Sequence, residues 1–453
     1  MKTSIHYSEE ICKRLEAKKL TETISPYAME YINTIMLAIF STGYHGKTVD
    51  MEKCSDKHRT SISRFLHNDQ WNASSLEKAM KELVIHTIYE EAERSGKPIL
   101  CIVDDTIASK TKPSSKAIHP MQAANFHFSH LKRKQDYGHQ AVGVLLSCNG
   151  ITLNYTMIMY DKSVSKIDTV KQIAEELPTA PTSSYLLCDS WYVCEKVVNA
   201  FICKGFHTVG ALKTNRILYP YGTKMNVCEF AGKLIEAKCR ELFHLVTVKG
   251  RKYYVYRYEG NLNGIENAVV LLSYPAKSFG KEKALRAFIS TNAALSDEEI
   301  LDLYVVRWEI EVYFRDCKMK LAVDKYQIRF ANGIKHFWLI ASLAYMIACF
   351  ESKRYNFSEG YHLLSQTIRR EQISFIFDYF GEYCLTTFVH FHENGVGMLI
   401  YRTILTLFIH KEKCRNHNRH KFCNEDRSPY SLSTPNHRQK QNTCYLEYEC
   451  SQE

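Results

Sequence analysis

From residue 1 to about 92, apolar residues recur every three or four positions. They do so in "SEEICKRLEAKKL", "PYAMEYINTIMLAIFSTGY" and "SSLEKAMKELVIHTIYEEAERSG", the period of helices that bury one face. Between the last two lies "KTVDMEKCSDKHRTSISRFLHN". This stretch predicts a short helix, a turn around Ser55–Asp56 and a second helix bearing His58, Arg59, Ser61, Ser63 and Arg64. It is a candidate helix-turn-helix whose second helix offers donors to phosphates and base edges; the plainer alternative is another helical pair. At Lys97 the period changes to two. "PILCIVDD", "HQAVGVLLSC" and "ITLNYTMIMYD" are predicted strands, the last two joined by an Asn149–Gly150 hairpin turn. Helix "IDTVKQIAEEL", strand "SSYLLCDSWY", helix "CEKVVNAFICKGF" and strand "HTVGALKTN" follow. A meander of strands followed by alternating strands and helices predicts an α/β fold on a mixed sheet.

From about 215 to 290 the helices thin out, and "FHLVTVKG", "KYYVYRYEG", "AVVLLSY" and "LRAFIST" predict a β-rich block. Ser296 and Glu299 then form a capping box that opens a helix. "FWLIASLAYMIACF" (Phe337–Phe350) is the longest apolar run. It is too short to span a bilayer and is expected to be a buried helix. Two or three amphipathic helices are expected between 357 and 410. Residues 411–453 are polar, basic and patternless, and disorder is expected there.

The chain of 453 residues is 45% hydrophobic, enough for sizeable cores and for two to four domains. The net charge of +10 favours an anionic partner. No apolar stretch follows the first methionine, so no signal peptide is expected. The 16 cysteines include Cys101, Cys188, Cys203 and Cys349 inside apolar segments. They are expected to be reduced thiols packed as small hydrophobes, pointing to a soluble cytoplasmic protein.

Candidate chemistry gathers at two strand ends, Asp104–Asp105 in "CIVDD" and Asp189 in "LLCD", and on the helix "YVVRWEIEVYFRDCKMK". Alternation puts Asp105 on the face of Val103 and Cys101, and Asp104 on the other. At about 100° per residue, Tyr304, Arg307, Glu311 and Lys318 fall on one narrow stripe of a single helix. Carboxylates at strand ends together with Glu311 suit a hard divalent ion. Taken singly, a strand-end aspartate also serves as a helix cap, and Asp189 fits that role.

Together, "DDT" after one strand, "DSWY" after another and the Tyr304, Arg307, Glu311, Lys318 spacing resemble the DDE transposases of bacterial insertion sequences. The resemblance is closest to the insertion-sequence-4 type, named for that tyrosine–arginine–glutamate–lysine signature. It spans about residues 95 to 345, including "ALKTNR" and "DKYQIR". It implies a ribonuclease-H-like catalytic core interrupted by the β-rich block, with helical N- and C-terminal regions. It also implies catalytic and metal-binding residues Asp105, Asp189 and Glu311, with Asp105 favoured over Asp104 because it directly precedes the threonine. Tyr304, Arg307 and Lys318 are implied to contact DNA. The implied cofactor is Mg²⁺, two ions, with Mn²⁺ able to substitute. The implied partner is double-stranded DNA, as transposon terminal inverted repeats and target, bound by a homodimer on paired ends and without a membrane. The implied setting is the bacterial cytoplasm, on the nucleoid when DNA is bound.

The domain expectation is a helical DNA-binding domain over 1–92 and a catalytic core over 93–345. A helical region over 346–410, proposed for dimerisation, and the tail complete it. The function implied is metal-dependent cleavage at transposon ends and strand transfer into target DNA. The alternative is an inactive DNA-binding protein derived from a transposase; a metal-dependent nuclease unrelated to transposition is a further rival. The basic run His130–His139 is either a track for the DNA backbone or a solvated loop. Trp191 and Trp308 are expected to pack in the core rather than to stack on a base. Cys414, His417, His420 and Cys423 have zinc-competent side chains, but chance in a tail rich in cysteine and histidine is the expectation.

Overall fold

The computed structural model describes residues 7–68, 71–118, 120–129 and 132–392, with side chains to Asp378. His130, Leu131, the tail from 393 and its Cys/His group lie outside the described residues. The helical period of the N-terminal third yields α1 (Glu9–Ala17), α2 (Pro26–Phe40), α3 (Thr48–Lys53), α4 (Arg59–His67) and α5 (Ala73–Ser95). Ser8 and Ser25 cap the first two, accepting from Ile11 N and Ala28 N, which satisfies donors a helix start leaves open. The buried stripe of α4 is Ile62, Phe65 and Leu66, with the Phe65 ring stacked 4.6 Å from Tyr31. Arg59, Thr60, Arg64 and His67 of the same helix are exposed.

The strands are β1 (Leu100–Ser109), β2 (Asn125–Ser129), β3 (Lys134–Cys148), β4 (Ile151–Met159), β5 (Ser184–Cys188) and β6 (Phe206–Leu212). Helices α6 (Lys166–Glu176) and α7 (Glu195–Ile202) flank β5 in the chain. Asn149 and Gly150 take φ of 47° and 83°, as a two-residue hairpin turn with the twist of its strands requires. β3 pairs antiparallel with β1, β2 and β4, whereas β1–β5 and β5–β6 are parallel. The chain continues through β7 (Ile217–Leu218), β8 (Met225–Asn226), α8 (Val227–Glu236), β9 (His244–Val248), β10 (Arg251–Leu262), β11 (Ile265–Pro275) and β12 (Arg286–Ser290). These strands extend the same sheet beyond β6, giving twelve strands in the order β2-β3-β1-β5-β6-β12-β11-β10-β7-β8, with β4 on β3 and β9 on β10. The result is a mixed α/β fold on one large sheet. Helix α8 and the edge strand β2 are additions to the expected elements.

Helices α9 (Asp297–Val306), α10 (Glu309–Met319), α11 (Ala331–Glu351) and α12 (Phe357–His392) close the described chain. The single helix expected from Tyr304 to Lys320 is therefore two. Arg307, Trp308, Ile310 and Glu311 donate to the carbonyls three residues back, a tightened turn that shifts the stripe. α11 is the one helix among the described residues long and apolar enough to cross a membrane, and 78% of its most apolar window is buried inside the protein. Arg14 clamps Glu351 of α11 at 2.7 and 2.8 Å, and His336 Nδ1 lies 2.7 Å from the Leu66 carbonyl. The N-terminal helices thus rest on α11. The described cysteines are all free thiols; Cys101, Cys188 and Cys349 are buried, but Cys203 is exposed at the end of α7.

Candidate active site

The apolar run of β1 places its two acids at mid-sheet. Asp104 lies opposite Gly143 of β3 and Asp105 opposite Val142, so the two side chains leave opposite faces. On the Asp104 face, α10 sits in a notch at Gly143: a Cβ there would stand 2.5 Å from Phe314 Cε1. That close approach brings the α9–α10 turn over the strand end. Arg307 Nη1 binds Asp104 Oδ2 at 2.7 Å and lies 3.9 Å from Glu311 Oε1. Lys318 donates to the Thr106 hydroxyl at 2.6 Å.

On the other face, Asp105 accepts from Gln140 Nε2 at 2.6 Å, Lys166 Nζ at 2.6 Å and Tyr192 Oη at 3.1 Å. Asp189, just past β5, accepts the Trp191 N–H at 2.9 Å. This bond closes a turn and does not cap α7, whose N-cap position is Cys194 with no side-chain bond.

The electrostatics show that the acids sense one another. Burial pushes the Asp104 carboxyl well above the ordinary aspartate range; Arg307 pulls against it, while Glu311, Asp189 and Asp105 push the same way. Burial also raises Asp189, opposed by Arg307 and the Trp191 N–H and reinforced by Asp105. Burial lowers Lys318 and raises the Tyr192 phenol, the latter reinforced by Asp105. Two cations stand against these acids: Arg307 against Asp104 and Glu311, and Lys166 against Asp105.

Among the described residues no three acids, histidines or cysteines form a closed metal cluster. The donor chemistry nevertheless fits a hard divalent ion. Asp104 and Glu311 flank Arg307 on one face of β1, Asp105 is paired with Lys166 on the other, and Asp104 feels the charges of Glu311, Asp189 and Asp105.

Two expectations need correction. Tyr304 is 4% exposed, packed 4.7 Å from Phe288 with the Arg307 guanidinium 5.4 Å over its ring. On the buried side of α9, it presents no surface to DNA. Trp191 is 50% exposed rather than packed, with Lys166 and Lys213 Nζ at 5.2 and 4.8 Å from its ring centroid; Trp308 is half-buried. Gln140, Lys166 and Tyr192 were missed in the sequence. Only the strand register and the fold bring them to Asp105, and no local motif marks them.

An antiparallel meander followed by two parallel strands, with Asp104 and Asp189 directly beyond the last β1–β5 pair, makes a mixed α/β fold consistent with a ribonuclease-H-like core. Residues 95–347 match the family described as transposase DDE domain. That match covers more than half of the chain, which therefore belongs to this family and is a DDE transposase. No curated protein matches it.

Proposed function

We propose that the chain is a transposase of the insertion-sequence-4 type that cuts DNA at the ends of its element and joins them to target DNA. What supports this is the transposase DDE domain match, with Asp105 on β1, Asp189 just past the adjoining β5, and Glu311 on α10 beside Arg307. We propose these three as the metal ligands, with Mg²⁺ as the ion and Mn²⁺ as its substitute. Asp104 is the alternative on β1; Asp105 is preferred because it directly precedes Thr106, as the resemblance implies. Bound ions of this kind activate the attacking oxygen and stabilise the leaving one.

The chain's own residues supply the rest. Gln140 and Tyr192 fix the orientation of Asp105. Arg307, with five donors on its fork, is placed to bridge Asp104 and a phosphate oxygen. Lys318 moves from Thr106 to a phosphate, and Tyr304 acts by seating Arg307. Water attacks the phosphodiester at the element's end and leaves a 3′-hydroxyl. That hydroxyl attacks the opposite strand to give a hairpin, hydrolysis reopens it, and the freed 3′-end attacks target DNA. Each step is an in-line displacement that needs positioning rather than a covalent enzyme intermediate.

The exposed face of α4, with Arg59, Thr60, Arg64 and His67, supports the proposal that the N-terminal helices bind the terminal inverted repeats of duplex DNA. A homodimer on paired ends, through the region 346–410, belongs to the same proposal; only its part up to 392 lies within the described residues. The setting proposed is the bacterial cytoplasm, on the nucleoid when DNA is bound.

Incubation of a duplex carrying the element's own end with Mg²⁺ tests this. Wild type is expected to give nicks with 3′-hydroxyls and hairpins, whereas Glu311→Gln binds without cutting. If both bind and neither cuts in Mg²⁺ or Mn²⁺, the chain is a binding protein and the proposal fails.

A further inference from the structure

Asp105 is held by three side chains, and two of them, Gln140 and Tyr192, are neutral donors. The third is an ammonium: Lys166 Nζ lies 2.6 Å from Oδ2, and the side chains of the pair are 15% and 21% exposed. Lys166 is the first residue of α6, directly after the cap Ser165. Its backbone is fixed, and its four-carbon stem swings the charge. The same nitrogen stands 5.2 Å from the Trp191 ring and 5.6 Å from the Tyr160 ring, within the reach of cation–π attraction. Its charge also acts on Asp189, lowering that carboxyl electrostatically. An ammonium and a divalent ion do not share one carboxylate oxygen at bonding distance. A displaced Lys166 has the half-exposed Trp191 indole beside it to rest on.

We propose that Lys166 is a built-in placeholder for the divalent ion at Asp105. It neutralises and orients the carboxylate in the metal-free chain, and it is driven off the carboxylate when the ion enters. The proposal rests on Asp105 being a metal ligand. Because Lys166 competes for Oδ2, removing its charge frees the site for the ion.

Titration of the full chain with Mn²⁺, without DNA and read by electron paramagnetic resonance of the unbound ion, tests this. Lys166→Met is expected to bind Mn²⁺ about tenfold more tightly than wild type, the scale of one charge removed beside a partly screened site. Lys166→Arg keeps the charge and is expected to bind as wild type does. Lys166→Gln serves as a second neutral variant should the methionine variant fold poorly. If the neutral variants bind Mn²⁺ no better or more weakly than wild type, Lys166 is a fixed support of Asp105 and the proposal is wrong. Asp105→Asn separates the two ideas. If it binds Mn²⁺ as wild type does, the ligand assignment has failed; if it loses Mn²⁺ while Lys166→Met gains nothing, only the placeholder has failed.

Discussion

Replacing Asp104 with Ala removes one half of a buried pair and leaves Arg307 behind. The two side chains are 12% and 6% exposed, and their closest atoms are 2.7 Å apart. With charge centres near 4 Å and an effective dielectric of about 20, the lost attraction is about 4 kcal/mol. Breaking a buried pair from one side costs about 3–5 kcal/mol, because the remaining charge stays in the protein without compensation. Removing both halves, as in Asp104→Leu with Arg307→Met, takes the desolvation cost away together with the attraction. That double variant is expected to lose much less than Asp104→Ala alone. Asp105 is held by neutral donors as well as Lys166, so Asp105→Ala leaves Gln140 and the buried Tyr192 without their acceptor and is expected to cost about 1–3 kcal/mol. Urea unfolding followed by both circular dichroism and tryptophan fluorescence reads these differences, and coincident transitions license the comparison. A cost below about 1 kcal/mol for Asp104→Ala, or a double variant as unstable as the sum of its parts, would refute the reasoning.

Three further outcomes follow from the same geometry. Asp189 is raised by burial in the folded chain. The folded state therefore holds a proton the unfolded one has lost, and stability falls as pH rises through the window above the ordinary aspartate range. Asp189→Asn keeps the acceptor for Trp191 and removes that charge, so at pH 7 it should melt ~2–4 °C higher in calorimetry while losing cleavage; a lower melting temperature counts against the burial argument. Gly143→Ala places a methyl 2.5 Å from Phe314 Cε1. It should displace α10 and slow cleavage at unchanged end binding in a gel-shift assay, and unaltered cleavage would show that the notch does not set the site. Trp191→Ala should weaken binding of DNA with unpaired end bases by about 1–3 kcal/mol and of fully paired DNA by less, measured by fluorescence anisotropy; equal losses on both would make it a backbone contact.

Much of the mixed sheet was legible because period-two runs and the Asn149–Gly150 turn are local signals. Helix α8 was hidden because its ten residues sit among strand-like runs. Strand β2 was hidden because it buries His127 and exposes Phe126 and Phe128 at 46% and 52%, the reverse of the apolar-inward alternation that marks a strand. The break between α9 and α10 carries no Gly or Pro, and only tertiary contact tightens it. Strand-end acids could be named from the chain, but their partners could not. Lys166 is 61 positions from Asp105, and Arg307 is 203 from Asp104. Contacts at that separation come from sheet order and helix placement, which no local pattern encodes.

The most direct test of the central claim bypasses the first cut. Element ends made with a free 3′-hydroxyl are incubated with Mg²⁺ and a target plasmid, and joined products are resolved on a gel. Wild type is predicted to join them, whereas Asp105→Asn, Asp189→Asn and Glu311→Gln each bind the ends and join none. Joining by any of the three variants, or wild type that cuts intact ends yet never joins free ones, would contradict the account.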